Sequence, residues 1–118
     1  MTMQRQILGK SGEERAVREL ERRGYAILER RYRTRHGEID IVADDGGTIV
    51  FVEVKTRETA ECGSAAEAVT THKQRRLTAM AVDYLARNHL TDSPCRFDVV
   101  AIDGGAVTIY PAAFDASY

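Results

Sequence analysis

The sequence predicts an α/β fold in which a mixed β-sheet is flanked by helices, with the elements in the order αβββαββ. Two segments, 12–23 and 71–85, carry apolar residues at helical spacing, and the segments that follow each of them are rich in Ile and Val, as strands are. At 118 residues, of which 43% are apolar, the chain has the size of a single domain with its own core.

The first predicted helix covers residues 12–23. Ser11, followed three residues later by Glu14, forms a capping-box pattern at its start, and Gly24 supplies the glycine that commonly ends a helix. Its apolar stripe consists of Ala16, Val17 and Leu20. A strand is then expected from Tyr25 to Tyr32, ahead of a basic segment.

A hairpin is predicted between two strands rich in Ile and Val, Glu38–Ala43 and Thr48–Thr56. The connecting segment, Asp44-Asp45-Gly46-Gly47, contains glycines, which accept the positive φ angles of a tight turn. The spacing of turn and strands makes this the strongest hairpin signal in the chain.

A linker of Gly, Ser and Ala near residue 63 leads to the second predicted helix, which begins at Thr71, with Gln74 completing another capping box. Its apolar stripe follows the i, i+3, i+4, i+7 and i+8 positions: Leu77, Met80, Ala81, Tyr84 and Leu85. We expect this stripe to pack against the sheet, and self-association of the protein through the stripe is the alternative.

Two further strands, Arg96–Ile102 and Ala106–Tyr110, are predicted on either side of the turn Asp103-Gly104-Gly105. A helix connects the strand Thr48–Thr56 to the strand Arg96–Ile102. Because such crossovers join parallel strands and are right-handed, we expect these two strands to be parallel and the sheet to be mixed.

The overall charge does not indicate a partner, because 17 Lys and Arg are balanced by 18 Asp and Glu. The basic residues are nevertheless concentrated in two segments, and the acidic residues lie between them. From these segments the candidate nucleic-acid contacts are Arg31, Arg33, Arg35, Lys73 and Arg76. A solvated charged surface is the alternative interpretation of each segment.

The sequence lacks the signals of secretion and membrane insertion. Cys62 and Cys95 are far apart, which excludes a recognisable zinc motif and a disulfide framework. No segment approaches the roughly 20 apolar residues of a membrane span, and the first residues contain no apolar run typical of a signal peptide. We therefore expect a cytoplasmic protein with no membrane partner.

Three charged residues of the predicted hairpin form the candidate catalytic group: Asp40, Glu53 and Lys55. Because side chains alternate along a strand, Glu38 should share a face with Asp40, and Ile39 and Ile41 should share the other face. The same rule places Lys55 beside Glu53. Since Asp40 and Glu53 fall nearly opposite each other in the hairpin, the two carboxylates and the ammonium should converge at one end of the sheet.

The alternative is that Glu53 and Lys55 lie on the solvated face of a half-buried sheet and form a charge pair there. However, the residues around Glu53, Ile49–Val54, are apolar on both faces, which is typical of a central strand covered on both sides. A buried carboxylate costs several kcal/mol unless it is paired or bound to a cation. A cation between Glu53 and Asp40 would remove this cost.

The residue types suit a divalent metal ion. Mg²⁺ prefers oxygen ligands and keeps several waters, so Asp40, Glu53 and the backbone carbonyl of Val54 would leave positions for a phosphate oxygen and an attacking water. Lys55 could orient or deprotonate that water, or neutralise charge on the phosphate. Glu13 is a candidate for an outer or second metal-ligating carboxylate.

The hairpin sequence resembles that of the bacterial YraN family, within the restriction-endonuclease-like superfamily and similar to archaeal Holliday-junction resolvases. The resemblance covers about residues 9–103. Its central motif is the segment 37–43, with Asp40, followed by the segment 50–57, with Glu53 and Lys55. The flanking matches are Gly12-Glu13, Gly24-Tyr25, Val69 with Lys73 and Leu77, and the segment 96–100.

The resemblance implies a restriction-endonuclease-like mixed sheet and an endonuclease, dependent on Mg²⁺ or Mn²⁺, that hydrolyses structured or branched nucleic acid, with DNA as the expected partner. It maps the phosphodiesterase site onto Asp40, Glu53 and Lys55, and it places Glu13 near the metal. Gln74 and Lys73 are implied at the mouth of the site, and Glu38 is an accessory candidate. The resolvases act as dimers, so a homodimer is the implied assembly.

Two positions depart from the family pattern, since many relatives carry Asn where this chain has Arg31 and near Ala112. The alternative function is a noncatalytic module that binds nucleic acid or a protein partner and retains the nuclease fold. Intact Asp40, Glu53 and Lys55 favour the enzyme.

Overall fold

A computed structural model describes the backbone of residues 3–57 and 69–116. In this part of the chain the helices and strands follow the predicted order. Their bounds are α1 Met3–Arg22, β1 Ala26–Thr34, β2 Gly37–Asp45, β3 Thr48–Arg57, α2 Thr71–Arg87, β4 Cys95–Asp103 and β5 Ala106–Phe114. The linker predicted near residue 63 lies outside the described residues. Neither described helix is long and apolar enough to cross a membrane.

The strands form one sheet in the order β1-β2-β3-β4-β5. Strands β3 and β4 are parallel, and the other neighbouring pairs are antiparallel. The mixed sheet is therefore confirmed. The two parallel strands, β3 and β4, are connected in the chain by the segment that contains α2. This architecture is consistent with a restriction-endonuclease-like fold.

The β2–β3 turn forms as its glycines predict. Gly46 and Gly47 have φ angles of 60° and 102°, both in the left-handed region that a two-residue hairpin turn requires. The N–H of Gly47 also donates to Asp44 Oδ1 at 2.7 Å. The turn sets the register in which Ile41 pairs with Val52.

The sheet has an apolar core on each face, so β3 is the covered central strand that its sequence predicts. On one face α2 buries Leu77, Met80, Ala81 and Tyr84 against the sheet, so the predicted packing role of this stripe is confirmed. On the other face α1 buries Ala16 and Leu20 against Val50 and Val52 of β3.

The predicted start of α1 is wrong, whereas α2 begins at Thr71 as predicted but with a different capping residue. Helix α1 begins at Met3, so positions 11 and 14 lie inside the helix and not at its start. Gly12 marks a close contact with the sheet, because a Cβ at that position would overlap Oγ1 of Thr56 on β3. The N-cap of α2 is Thr70 instead of Thr71, since the Thr70 side chain accepts the N–H of Lys73 at 3.2 Å.

The predicted alternation along β2 is wrong at Asp40. Ile39 lies in the core on the α2 side of the sheet, whereas Ile41 lies in the core on the α1 side. Two residues separated by one position should share a face of a regular strand, so the strand is irregular between them. The last β2–β3 pair is Ile41 with Val52, whereas pairing with β1 continues to Gly37. Strand β2 therefore leaves β3 and stays with β1.

Strand β5 is longer than predicted and ends at Phe114. Its pairing with β4 shifts between Phe97 and Val99, which lie opposite Phe114 and Tyr110. At this irregularity the N–H of Ala112 donates to the Asp98 carboxylate at 2.9 Å. A side chain of β4 thus satisfies a backbone group of β5 that the ladder leaves unpaired.

Candidate active site

The Asp40 carboxylate lies where β2 leaves β3. Its Oδ2 accepts the backbone N–H of Val54 at 2.8 Å, just beyond the last regular pair of the β2–β3 ladder. A side-chain oxygen thus replaces a main-chain acceptor and holds Asp40 against β3. The sequence predicts that Asp40 lies opposite Glu53, and the structure brings the two residues together at this end of the sheet.

The Glu53 carboxylate is buried between two lysine ammonium groups. Its side chain is 9% exposed, and its Oε1 lies 2.6 Å from Lys73 Nζ and 3.7 Å from Lys55 Nζ. Glu53 and Lys55 follow Phe51 at alternate positions of β3, so they share the face that α2 covers. The two ammonium groups compensate the charge of a carboxylate that would otherwise be costly to bury.

The electrostatics of the site follow from burial and from the repulsion between its carboxylates. Burial, and then the negative charge of Glu53, raise the pKa of Asp40 to about 7, against the opposing hydrogen bond from Val54. A carboxyl group with such a pKa is half protonated at neutral pH. The site therefore favours a further positive charge beside Asp40.

The two lysines of the site differ in their acidity. Burial, and then the contact with Lys73, lower the pKa of Lys55. Burial is the largest single effect on Lys73 and lowers its pKa, but the hydrogen bonds to Glu53 and Lys55 and the charges of Glu53 and Asp40 together outweigh it, so the pKa of Lys73 is raised. Of the two, Lys55 is therefore the group that gives up its proton more readily.

Glu13 approaches the site from α1. Its two carboxylate oxygens lie 3.1 Å and 3.2 Å from Arg31 Nε, and its charge contributes to the raised pKa of Asp40. Arg31 has a φ of 53°. Asn tolerates this left-handed region better than most residues, which accounts for the Asn that the resemblance implies at position 31.

The predicted nucleic-acid contacts differ in their surroundings. Arg33 forms an exposed ion pair with Glu38 at 3.3 Å. Arg35 is exposed at the β1–β2 turn, where it lines a cavity of about 430 Å³ beside α2, and Arg76 is exposed on α2. The side chain of Gln74 donates to the backbone carbonyl of Val69 at 2.9 Å, so it secures the start of α2.

The donor set fits a hydrated divalent ion. Within residues 3–57 and 69–116, no three or more His, Cys, Asp and Glu side chains are grouped so as to hold a metal by themselves. Asp40 and Glu53 supply two carboxylates, and the Val54 carbonyl is the predicted third oxygen. Mg²⁺ typically takes one or two carboxylates and keeps several waters, so such a small set suits it.

The sequence patterns did not reveal two groupings. One is the contact between Lys73 and Glu53: the resemblance implies Lys73 at the mouth of the site, but no spacing within the chain indicates that its ammonium meets Glu53. The other is the ion pair of Arg96 with the fully buried Asp98, at 3.0 Å, which also includes Asp45. An acidic residue inside the apolar segment 97–102 was the available signal for this second grouping.

Comparison with known proteins assigns the chain to a family. Residues 12–102 match the family described as "Uncharacterised protein family UPF0102". A UPF0102 protein of Geotalea uraniireducens is 54% identical over 95 residues, covering 80% of this chain and 75% of the relative. A relative from Geobacter metallireducens is 46% identical over the full length of both chains. One from Symbiobacterium thermophilum is 51% identical over 83% of each. The chain therefore belongs to UPF0102, the YraN family.

Proposed function

We propose that this protein is a metal-dependent endonuclease that hydrolyses phosphodiester bonds in structured or branched nucleic acid, with DNA as the first substrate to test. The observation that carries the proposal is the convergence of Asp40, Glu53 and Lys55 at the point where β2 leaves β3. Two carboxylates beside an ammonium group in a partly buried position are the components of a phosphoryl-transfer site.

Each residue of the site has a role in this proposal. Asp40 and Glu53, with the Val54 carbonyl, would hold Mg²⁺ or Mn²⁺, and Glu13 would contribute an outer carboxylate once it leaves Arg31. The bound ion would supply Lewis-acid polarisation of the phosphate and a more acidic water. Lys55 would orient that water or accept its proton, and burial beside Lys73 lowers the pKa of Lys55, which is the direction that such a role requires.

The substrate backbone would lie against the basic residues around the site. Arg35 and Arg76 are exposed and can meet phosphates directly. Arg31 and Arg33 already pair with Glu13 and Glu38, so phosphates would compete for these guanidinium groups. Because binding of this kind releases counterions, affinity should fall steeply as salt rises.

The second candidate is a noncatalytic module that binds nucleic acid or a protein partner. The observation that favours it is the contact between Lys73 and Glu53, which neutralises the central carboxylate without a metal ion. In that case the acidic residues would serve the stability of the fold, and cleavage would be absent.

A cleavage panel tests the proposal. Purified protein is incubated with four-way junctions, flaps, single-stranded DNA and RNA, each with Mg²⁺ or Mn²⁺. We expect cleavage of at least one branched DNA, and loss of that cleavage in Asp40→Asn and Lys55→Ala. Asp92→Asn, an exposed change of the same type, is the matched control and should cleave normally. If the wild-type protein leaves every substrate intact with both ions, the proposed endonuclease activity is refuted.

A thermal-shift measurement distinguishes the two candidates independently of substrate. An ion that binds only the folded state raises the melting temperature, so Mn²⁺ should stabilise the wild type. Glu53→Gln should lose this shift, and Asp92→Asn should keep it. If neither Mg²⁺ nor Mn²⁺ shifts the wild type, the noncatalytic module is the better account.

A further inference from the structure

Among the described residues, Lys73 is the cation nearest to the Glu53 carboxylate. Its Nζ lies 2.6 Å from Glu53 Oε1, whereas Lys55 Nζ lies 3.7 Å from the same atom. The backbone of Lys73 is held in the first turn of α2, because its N–H donates to the capping hydroxyl of Thr70. Its side chain is 27% exposed and carries a flexible four-carbon stem.

We propose that the Lys73 ammonium occupies a cation position at Glu53 in the metal-free protein and competes there with the divalent ion. This inference rests on the proposed metal site formed by Asp40 and Glu53. An ammonium at hydrogen-bond distance from Glu53 Oε1 uses the lone pairs that a metal ion would need, and it repels an ion placed between the two carboxylates. Metal binding therefore requires the Lys73 side chain to withdraw from Glu53.

The contact between Lys73 and Glu53 also explains how the Glu53 carboxylate can be buried without a metal ion. Without Lys73, the more distant Lys55 would be the one remaining cation that the described residues place beside the buried Glu53, next to a second carboxylate. Lys73 thus stabilises the metal-free site and weakens binding of the divalent ion there. Once displaced, the ammonium is tethered at the edge of the site, where a substrate phosphate is the available anion.

Calorimetric titration with Mn²⁺, without nucleic acid, tests the competition. Lys73→Met and Lys73→Gln remove the charge, and Gln keeps a hydrogen-bond donor for Glu53 in case the Met variant folds poorly. We expect both to bind Mn²⁺ about tenfold more tightly than the wild type, which corresponds to 1.4 kcal/mol. Lys73→Arg keeps the charge and should bind like the wild type. Arg75→Met, which removes an exposed charge from the same helix turn, should also bind like the wild type.

Thermal melting supplies a second readout. Without metal, Lys73→Gln should melt below the wild type, and saturating Mn²⁺ should raise its melting temperature by more than it raises that of the wild type. If Mn²⁺ binds the wild type but binds the charge-removed variants no more tightly, the competition is refuted and the metal site stands. If Mn²⁺ binds neither, both proposals fail. Binding by the variants alone would uphold the competition at Glu53 and would count against metal-dependent activity of the wild type.

Discussion

Asp40 Oδ2 accepts the backbone N–H of Val54 at 2.8 Å, one position past the Glu53 that it faces across the hairpin. The contact couples the backbone of β3 to the position of the Asp40 carboxylate. Because β2 has already left β3, the carboxylate fills the gap that the diverging strands create. The irregular backbone at Asp40 and the approach of two carboxylates are therefore parts of one arrangement.

The stability of the metal-free protein should depend on the ionisation of Asp40. Burial and the charge of Glu53 raise the pKa of this carboxyl from 3.8 to about 7, so the folded state binds the Asp40 proton more tightly than the unfolded chain does. This contribution to the free energy of unfolding is complete below pH 3.8 and is lost as the pH rises through 7. Relative to Asp40→Asn, the wild type should lose roughly 2–4 kcal/mol over that range.

Urea unfolding with a chelator, at a series of pH values, measures this difference. Asp40→Asn should show a flatter profile than the wild type, and Asp92→Asn should keep the wild-type slope. Parallel profiles for Asp40→Asn and the wild type would show that Asp40 ionises with an ordinary pKa in the folded protein.

Gly12→Ala should destabilise the protein although alanine is the better helix former. In a helix interior this change normally stabilises by about 1 kcal/mol, but here the new Cβ would overlap Thr56 Oγ1. We expect a net loss of about 1–3 kcal/mol in the free energy of unfolding, as for other overpacked contacts. Adding Thr56→Ala should recover most of the loss in chemical denaturation.

Gly105→Ala is the control for this change, because no described atom lies within 4 Å of the Cβ it would add. It should leave the stability nearly unchanged. A Gly12→Ala protein as stable as the wild type would mean that α1 can move away from β3 at little cost.

Arg96→Met should be among the most destabilising single changes. Asp98 is fully buried, and Arg96 Nε lies 3.0 Å from its Oδ1. Removing the arginine leaves a buried carboxylate without its cation, at a cost of about 3–5 kcal/mol in urea unfolding. Arg22→Met removes an exposed ion pair with Glu19 and should change little.

The double variant Arg96→Met with Asp98→Asn distinguishes charge from packing. It removes both charges, so it should be more stable than Arg96→Met alone. If the double variant is the less stable protein, the network contributes through its shape and hydrogen bonds more than through its charges.

Ala112→Gly should stabilise the protein. Ala112 has a φ of 49°, where a residue with a Cβ pays about 1–2 kcal/mol and glycine pays none. After the entropy that glycine adds to the unfolded chain, we expect a gain of up to about 1 kcal/mol in thermal or urea unfolding. Ala106→Gly, also exposed on β5 but at an ordinary φ, should be destabilising by contrast.

Local sequence patterns predicted the features that depend on neighbouring residues. Gly46 and Gly47 predicted the turn, because only the residues of the turn determine whether its φ angles are accessible. The stripe from Leu77 to Leu85 predicted the buried face of α2, because helical spacing alone brings those side chains together. The apolar residues around Glu53 indicated a central strand, because a strand that is apolar on both faces must be covered on both sides.

The predicted start of α1 failed because Ser11 and Glu14 are compatible with a helix interior as well as with a cap. Gly12 lies inside the helix, where it allows the close approach of Thr56, 44 positions later in the chain. A pattern of nearby residues cannot reveal a contact between positions so far apart.

By itself the sequence determined which strands and helices form, which strand is central, and which two carboxylates come near each other across the hairpin. The tertiary structure alone decided that β2 leaves β3 at Asp40, that Lys73 reaches Glu53, and that Arg31 holds Glu13. The physical reason is that these contacts join different elements. Their geometry depends on how α1, α2 and β1 pack on the sheet, and the charges respond to the burial that this packing creates.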